Sequence, residues 1–137
     1  MEHKKIFLLI DDDIDDRDFF IDAVMDIDPS AECLVANDGK EALDKLRNEI
    51  NPLPDVILLD MNMPGMDGKT CLTELKKDHR LKDIPVIMFT TSDSQNDIDV
   101  TRELGAAYFL TKPSDFQKLR KEIIYIMNSH WPQQPGR

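Results

Sequence analysis

The sequence predicts an α/β fold in which a five-stranded parallel sheet is doubly wound, with helices on both faces. Short apolar runs alternate along the chain with segments that carry apolar residues at helical spacing. The apolar runs are nearly continuous, which is typical of strands buried on both faces of a parallel sheet. An alternation of strands and helices implies right-handed crossovers, with the helices divided between the two faces.

The elements follow one another in strand–helix order. The apolar runs predict five strands, at residues 6–10, 33–36, 56–59, 86–89 and 108–110. Apolar residues at helical spacing predict five helices, at residues 19–27, 42–50, 71–75, 98–104 and 116–127. Pro29 ends the first helix and Pro52 stops the second, because proline lacks an amide hydrogen and disfavours helical backbone before it. Gly105 marks the end of the fourth helix.

Polar or charged side chains follow four of the five predicted strands: Asp11-Asp12-Asp13, Asp60, Thr90-Thr91 and Lys112. Parallel sheets place their functional sites at the carboxyl ends of the strands. Periodicity alone leaves the strand order open. If the first and third strands are neighbours, their aspartates meet, and the repulsion between them is relieved by a hard divalent cation with oxygen ligands. Mg²⁺ suits a site that keeps waters and receives a phosphoryl group.

Composition limits the class of protein. The 137 residues fit one domain that can bury a core without disulfides. The net charge of −10 argues against nucleic acid or an anionic membrane as partner. Cys33 and Cys71 lack CxxC spacing, which favours a reducing compartment. The apolar run after Lys4-Lys5 is too short for a signal peptide or a membrane span. We therefore expect a cytoplasmic, single-domain protein.

These motifs, in this order, resemble the receiver domain of two-component response regulators, in its CheY-like single-domain form. The pattern consists of Asp11-Asp12, then Asp60 within Asp-Met-Asn-Met-Pro-Gly-Met-Asp-Gly, then Thr90 and Lys112-Pro113. The resemblance runs from residue 6 to about residue 128. It implies a flavodoxin-like (βα)5 sheet of order 2-1-3-4-5, a receiver domain at residues 1–128, and a C-terminal tail at 129–137 that we expect to be flexible.

The resemblance implies that Asp60 accepts a phosphoryl group in the presence of Mg²⁺. Asp12 would be a direct metal ligand, and Asp11 a nearby or water-mediated one. The Asp60 carboxylate and the backbone carbonyl of Asn62 would complete the protein ligands. Independently of the family, a carboxylate that attacks phosphorus needs its repulsion with the phosphoryl oxygens neutralised, and a cation does this.

The same resemblance implies roles for residues that follow the last two strands. Thr90 would hydrogen-bond a phosphoryl oxygen, and Lys112 would pair with the phosphoryl group or with the Asp60 carboxylate. Phe109 matches the aromatic switch position, and without a tyrosine hydroxyl it would act through packing alone. A cis peptide bond between Lys112 and Pro113 is also implied.

As a stand-alone receiver, the chain would take its phosphoryl group from a sensor histidine kinase or a histidine phosphotransfer protein in a phosphorelay. It would signal to a downstream protein by a change of surface, and a homodimer through the fourth and fifth helices remains open. Its only enzymatic content would be self-phosphorylation and slow self-dephosphorylation.

Other functions remain open from the sequence. Asp11 and Asp13 have the spacing of nucleophile and acid in an aspartyl-phosphate phosphohydrolase, although so short a chain leaves little room for a substrate pocket. A phosphorylation-independent interaction module is the other alternative. Asp13, Asp15 and Asp16 also have a structural interpretation, as the N-cap and first-turn acids of the first helix.

Overall fold

Strands and helices alternate along the whole of the computed structural model, which describes residues 4–129. The elements are β1 (Ile6–Ile10), α1 (Ile14–Ile27), β2 (Glu32–Ala36), α2 (Gly39–Asn48), β3 (Val56–Leu59), α3 (Gly68–Lys77), β4 (Val86–Thr90), α4 (Gln95–Glu103), β5 (Tyr108–Thr111) and α5 (Phe116–Asn128). The predicted number and order of elements is confirmed. Thr90 and Thr111 belong to β4 and β5 rather than following them.

The five strands form one parallel sheet of order β2-β1-β3-β4-β5, as predicted. Ile10, the last residue of β1, pairs with Leu59, the last residue of β3. The Asp60 amide continues this pairing by donating to the Ile10 carbonyl at 3.0 Å. The first and third strands are therefore neighbours, and the residues that follow them lie side by side.

The core has two layers because alternate residues of the central strands face opposite sides of the sheet. Leu8 and Ile10 point into the layer beneath α2 and α3, whereas Phe7 points into the layer beneath α1 and α5. In the second layer the Phe20 ring meets the rings of Phe7 and Phe89 edge to face, at centroid distances of 6.0 and 5.3 Å. Packing on both faces fixes the strand ends.

Each helix begins with a side chain that accepts a hydrogen bond from an amide of its own first turn. The capping residues are Asp13, Asp38, Asp67, Ser94 and Asp115. These caps satisfy amides that have no partner within the helix. The expectation that Asp13 is an N-cap, with Asp15 and Asp16 as first-turn acids, is confirmed.

Two further expectations concern the end of the chain. The Lys112–Pro113 bond was expected to be cis and is trans; the cis X-Pro bond of the described residues is Asn51–Pro52. The Lys112 amide instead donates to the Thr90 carbonyl at 2.6 Å and so continues the β4–β5 pairing. The lysine side chain reaches its partners with the bond trans. Of the tail expected at residues 129–137, residues 130–137 lie outside the described residues. Within residues 4–129 there is no helix with the length and hydropathy that crossing a membrane requires.

Candidate functional site

Three aspartates converge at the carboxyl ends of β1 and β3. Asp11 and Asp60 are buried, with exposures of 3% and 7%, whereas Asp12 is exposed to solvent. One carboxylate oxygen of each residue lies within 4.8 Å of the other two. Because like charges this close repel one another, a cation among the three carboxylates stabilises the cluster. The sequence predicted this convergence.

The Asp11 carboxylate provides a test of whether a cation fits. Its Oδ1 accepts a hydrogen bond from the Asp13 amide at 3.0 Å. Its Oδ2 is buried without a hydrogen-bond donor: Lys112 Nζ lies 2.8 Å away as an ion pair, but not in hydrogen-bond geometry. The ion pair with Lys112 offsets part of the cost of burying the Oδ2 charge. A cluster of three carboxylates, in which Asp11 Oδ2 accepts no hydrogen bond from the described residues, fits a hard divalent cation such as Mg²⁺.

The surroundings of Asp60 perturb its carboxylate strongly. Burial raises the pKa of Asp60 to about 6, and the neighbouring Asp11 charge adds to the rise. The Lys112 ammonium and the amides of Met61 and Asn62 oppose it. The Met61 amide donates to Asp60 Oδ1 at 2.9 Å, which fixes the orientation of the carboxylate. Asp60 is therefore a buried, oriented carboxylate at a strand end, as a nucleophile requires.

Lys112 reaches this cluster from the end of β5, and its side chain is only 9% exposed. Its Nζ lies 2.7 Å from Asp16 Oδ2, 2.8 Å from Asp11 Oδ2 and 3.9 Å from Asp60 Oδ1. Burial alone would lower the pKa of Lys112, but the carboxylates of Asp11 and Asp16 outweigh it and hold that pKa above its usual value. Lys112 therefore lies at the site, as predicted, but its nearest carboxylates are those of Asp16 and Asp11 rather than that of Asp60.

Sequence reasoning missed the second role of Asp16. It was interpreted as a first-turn acid, which is correct, but its side chain also pairs with Lys112. The only signal in the sequence is position: a helix that begins directly after Asp11-Asp12-Asp13 has its first turn above the same edge of the sheet.

Gly68 was also missed as a residue that shapes the site. Gly68 begins α3, and its amide donates to the Met61 carbonyl at 2.9 Å. A Cβ atom at this position would overlap the Asp60 carbonyl oxygen and the Met61 Cα atom. Glycine is therefore required for α3 to approach the backbone of Asp60 so closely.

Thr90 and Phe109 lie on the other side of Asp60, on β4 and β5. Thr90 is fully buried, and its hydroxyl accepts a hydrogen bond from the Ser92 amide at 3.3 Å. The Ser92 hydroxyl donates to Asp97 Oδ2 at 2.7 Å, which ties the loop to α4. Phe109 is half-buried and lines a groove of about 260 Å³ between α4 and β5. The Thr90 hydroxyl is thus already engaged with the loop.

Comparison with known sequences finds response regulators. The family model described as response regulator receiver domain matches residues 7–124. Response regulator Rcp1 of Synechocystis sp. is 32% identical over 131 residues, which cover 93% of this chain and 88% of that protein.

Solved structures agree with the sequence comparison. The phosphorylated cyanobacterial phytochrome response regulator RcpA superposes with a TM-score of 0.83 at 31% identity, covering 96% of this chain and 100% of that one. The Mn(2+)-bound form of response regulator Rcp1 gives 0.81 at 29% identity, with 93% and 99% covered. Chemotaxis protein CheY4 of Vibrio cholerae gives 0.78 at 29% identity, with 90% and 99% covered.

Proposed function

The chain belongs to the response regulator receiver domain family, and on that premise we propose that it accepts a phosphoryl group on Asp60 from a histidine kinase or a histidine phosphotransfer protein. The observation that carries the proposal is the environment of Asp60. It is a buried, oriented carboxylate with Asp11 and Asp12 on one side and Lys112 Nζ 3.9 Å away. This combination suits a nucleophile that must approach a negatively charged phosphoryl group.

In the proposed step a carboxylate oxygen of Asp60 attacks the phosphorus of a phosphohistidine. The new bond is the P–O bond of an aspartyl phosphate, and the bond that breaks is the P–N bond. The bonding pair leaves with the imidazole nitrogen, and the ring departs neutral because its other nitrogen carries a proton. The protein contributes position and charge rather than a proton at Asp60.

The residues present fit a magnesium ion. Asp11, Asp12, Asp60 and the backbone carbonyl of Asn62 would hold it. When bound, the ion neutralises the charge of the carboxylates and of the phosphoryl oxygens. The similar response regulator Rcp1 has been solved in an Mn(2+)-bound form, which supports a divalent cation at the acidic cluster of this chain.

After transfer, Lys112 and Thr90 would stabilise the phosphoryl group. Lys112 Nζ already lies among the carboxylates, and the ammonium would pair with a phosphoryl oxygen. The Thr90 hydroxyl, which accepts from the Ser92 amide at 3.3 Å, would donate its hydrogen to a second phosphoryl oxygen. Movement of the hydroxyl toward the phosphoryl group would lengthen its contact with the loop after β4.

The signal would leave through the surface formed by α4 and β5. Phe109 would rotate into the space that Thr90 vacates, and a downstream protein would bind the altered surface. A homodimer formed through α4 and α5 is a further possible output. Turnover would be limited to Mg²⁺-dependent self-phosphorylation and slow self-dephosphorylation.

The test of this proposal uses acetyl phosphate and Mg²⁺, with acid-labile phosphate as the measurement. Asp60→Asn should lose all incorporation while keeping the circular dichroism spectrum, because the change is nearly isosteric. Asp13→Asn is the matched control: asparagine caps helices as well as aspartate does, so incorporation should persist.

The two variants also separate the alternatives. A phosphohydrolase that uses Asp11 and Asp13 would keep incorporation in Asp60→Asn and lose turnover in Asp13→Asn. A phosphorylation-independent interaction module would show no incorporation even in the wild type. Either result would overturn the assignment of Asp60.

A further inference from the structure

We propose that Asp16 is a positioning residue that holds the Lys112 ammonium away from Asp60, so that it weakens the hold of the site on a phosphoryl group. This inference rests on the proposed function of Asp60. It concerns a residue that lies outside the acidic pair, the acceptor, the threonine and the lysine of the receiver pattern.

The distances around Lys112 carry the inference. Nζ donates a hydrogen bond to Asp16 Oδ2 at 2.7 Å, whereas Asp60 Oδ1 is 3.9 Å away and outside hydrogen-bond range. Asp11 Oδ2 is at 2.8 Å without hydrogen-bond geometry. Among the three carboxylates near the ammonium, Asp16 therefore makes the directed bond.

Two hydrogen bonds, each from a backbone amide to a carboxylate, link the Asp16 backbone to the acidic cluster. The Asp13 amide donates to Asp11 Oδ1 at 3.0 Å, and the Asp13 carboxylate accepts from the Asp16 amide at 3.1 Å. This chain of contacts joins the end of β1 to the first turn of α1. The backbone of Asp16 is therefore fixed by the helix cap, and its carboxylate projects from this fixed turn rather than from a loop.

The consequence is a competition for one ammonium group. A phosphoryl group on Asp60 needs Lys112 to move toward it or to be shared, and each bond that Lys112 keeps to Asp16 is lost to the phosphoryl oxygens. A charge-assisted hydrogen bond is roughly twice as strong as a neutral one, so an amide in place of the Asp16 carboxylate holds the lysine less firmly. Removing the carboxylate should therefore strengthen the binding of a phosphoryl group.

Loss of a negative charge alone also favours an incoming anion, and a control must separate the two effects. Asp15 lies in the same first turn, is exposed, and, within the described residues, is not among the ion-pair partners of Lys112. Asp15→Asn removes the same charge from the same turn without releasing the lysine. The difference between Asp16→Asn and Asp15→Asn measures the positioning effect.

The experiment is a beryllofluoride titration of the full chain with Mg²⁺, followed by amide chemical shifts. Asp16→Asn should bind beryllofluoride about three- to tenfold more tightly than the wild type. At about 1.4 kcal/mol for each tenfold, this is a gain of about 0.7–1.4 kcal/mol in binding free energy. Asp15→Asn should stay within about twofold of the wild type. A merely structural role of Asp16 would act in the opposite direction, because a damaged site binds more weakly.

Two results would overturn the inference: equal affinities of Asp16→Asn and Asp15→Asn, or weaker binding by Asp16→Asn. A wild type that fails to bind beryllofluoride would instead overturn the proposed function of Asp60. The two failures are therefore distinguishable in one titration series.

Discussion

The acidic half of the site, at the ends of β1 and β3, is held differently from the hydroxyl half, at the ends of β4 and β5. Asp11 and Asp60 are buried, and a backbone amide orients each carboxylate, at 3.0 and 2.9 Å. The Thr90 hydroxyl has one hydrogen bond among the described residues, from the Ser92 amide of its own loop at 3.3 Å, and Phe109 borders an open groove. The reacting groups are thus fixed before any phosphoryl group arrives, whereas the groups proposed to report its arrival can rearrange.

The largest effect should come from disturbing the fixed half at Gly68. Gly68→Ala places a Cβ atom where the Asp60 carbonyl lies, so α3 or Asp60 must move. We expect a loss of about 3 kcal/mol in the free energy of unfolding, measured in urea, and loss of acid-labile phosphorylation. Gly65→Ala is the control, since its Cβ meets nothing within 4 Å and only the φ of 76° opposes it. It should cost about 1 kcal/mol and keep phosphorylation.

A second effect concerns the pH dependence of stability in the metal-free protein. Burial raises the pKa of Asp60 from 3.8 to about 6, so between these values the folded state binds more protons than the unfolded state. Stability contributed by this group is therefore lost as pH rises from 4 to 6. Relative to Asp60→Asn, the wild type should lose about 2–3 kcal/mol over this range, measured by urea unfolding in EDTA. A difference between the two proteins that stays constant with pH would contradict this.

The repulsion among Asp11, Asp12 and Asp60 predicts that a divalent cation stabilises the fold. Mg²⁺ at about a hundred times its dissociation constant should raise Tm by about 9 °C, because it binds only the folded arrangement of the carboxylates. Asp12→Ala should lose most of this shift, whereas Asp15→Ala, an exposed acid outside the three-aspartate cluster, should keep it. Equal shifts in both variants would place the ion elsewhere.

The smallest effect should be seen in the half that rearranges. With beryllofluoride bound, Thr90→Ala and Phe109→Ala should reduce the amide shift changes across α4 and β5, while the exposed neighbour change Thr91→Ala leaves them intact. Phe109 is already half-buried, so its further burial is worth only about 1 kcal/mol. If both variants reproduce the wild-type changes, the signal does not pass through these residues.

A difference between local patterns and long-range contacts explains what could be predicted from the sequence. The strands and the convergence of Asp11 with Asp60 were predictable, because buried parallel strands read as apolar runs and polar residues mark their ends. The Lys112–Asp16 bond joins residues 96 positions apart and depends on how the first turn of α1 stands above the end of β5. No local pattern encodes that placement. The close approach of Gly68 to Asp60 likewise depends on the path of the loop between them.

The helix caps limit how this protein can be engineered. Of the 27 acidic residues behind the net charge of −10, four aspartates begin helices: Asp13, Asp38, Asp67 and Asp115. Replacing one such cap by alanine costs about 1 kcal/mol, so removing all four would consume much of the 5–15 kcal/mol that stabilises an ordinary domain. A variant designed to carry less charge should therefore change acids elsewhere on the surface, or replace a capping aspartate only by asparagine or serine.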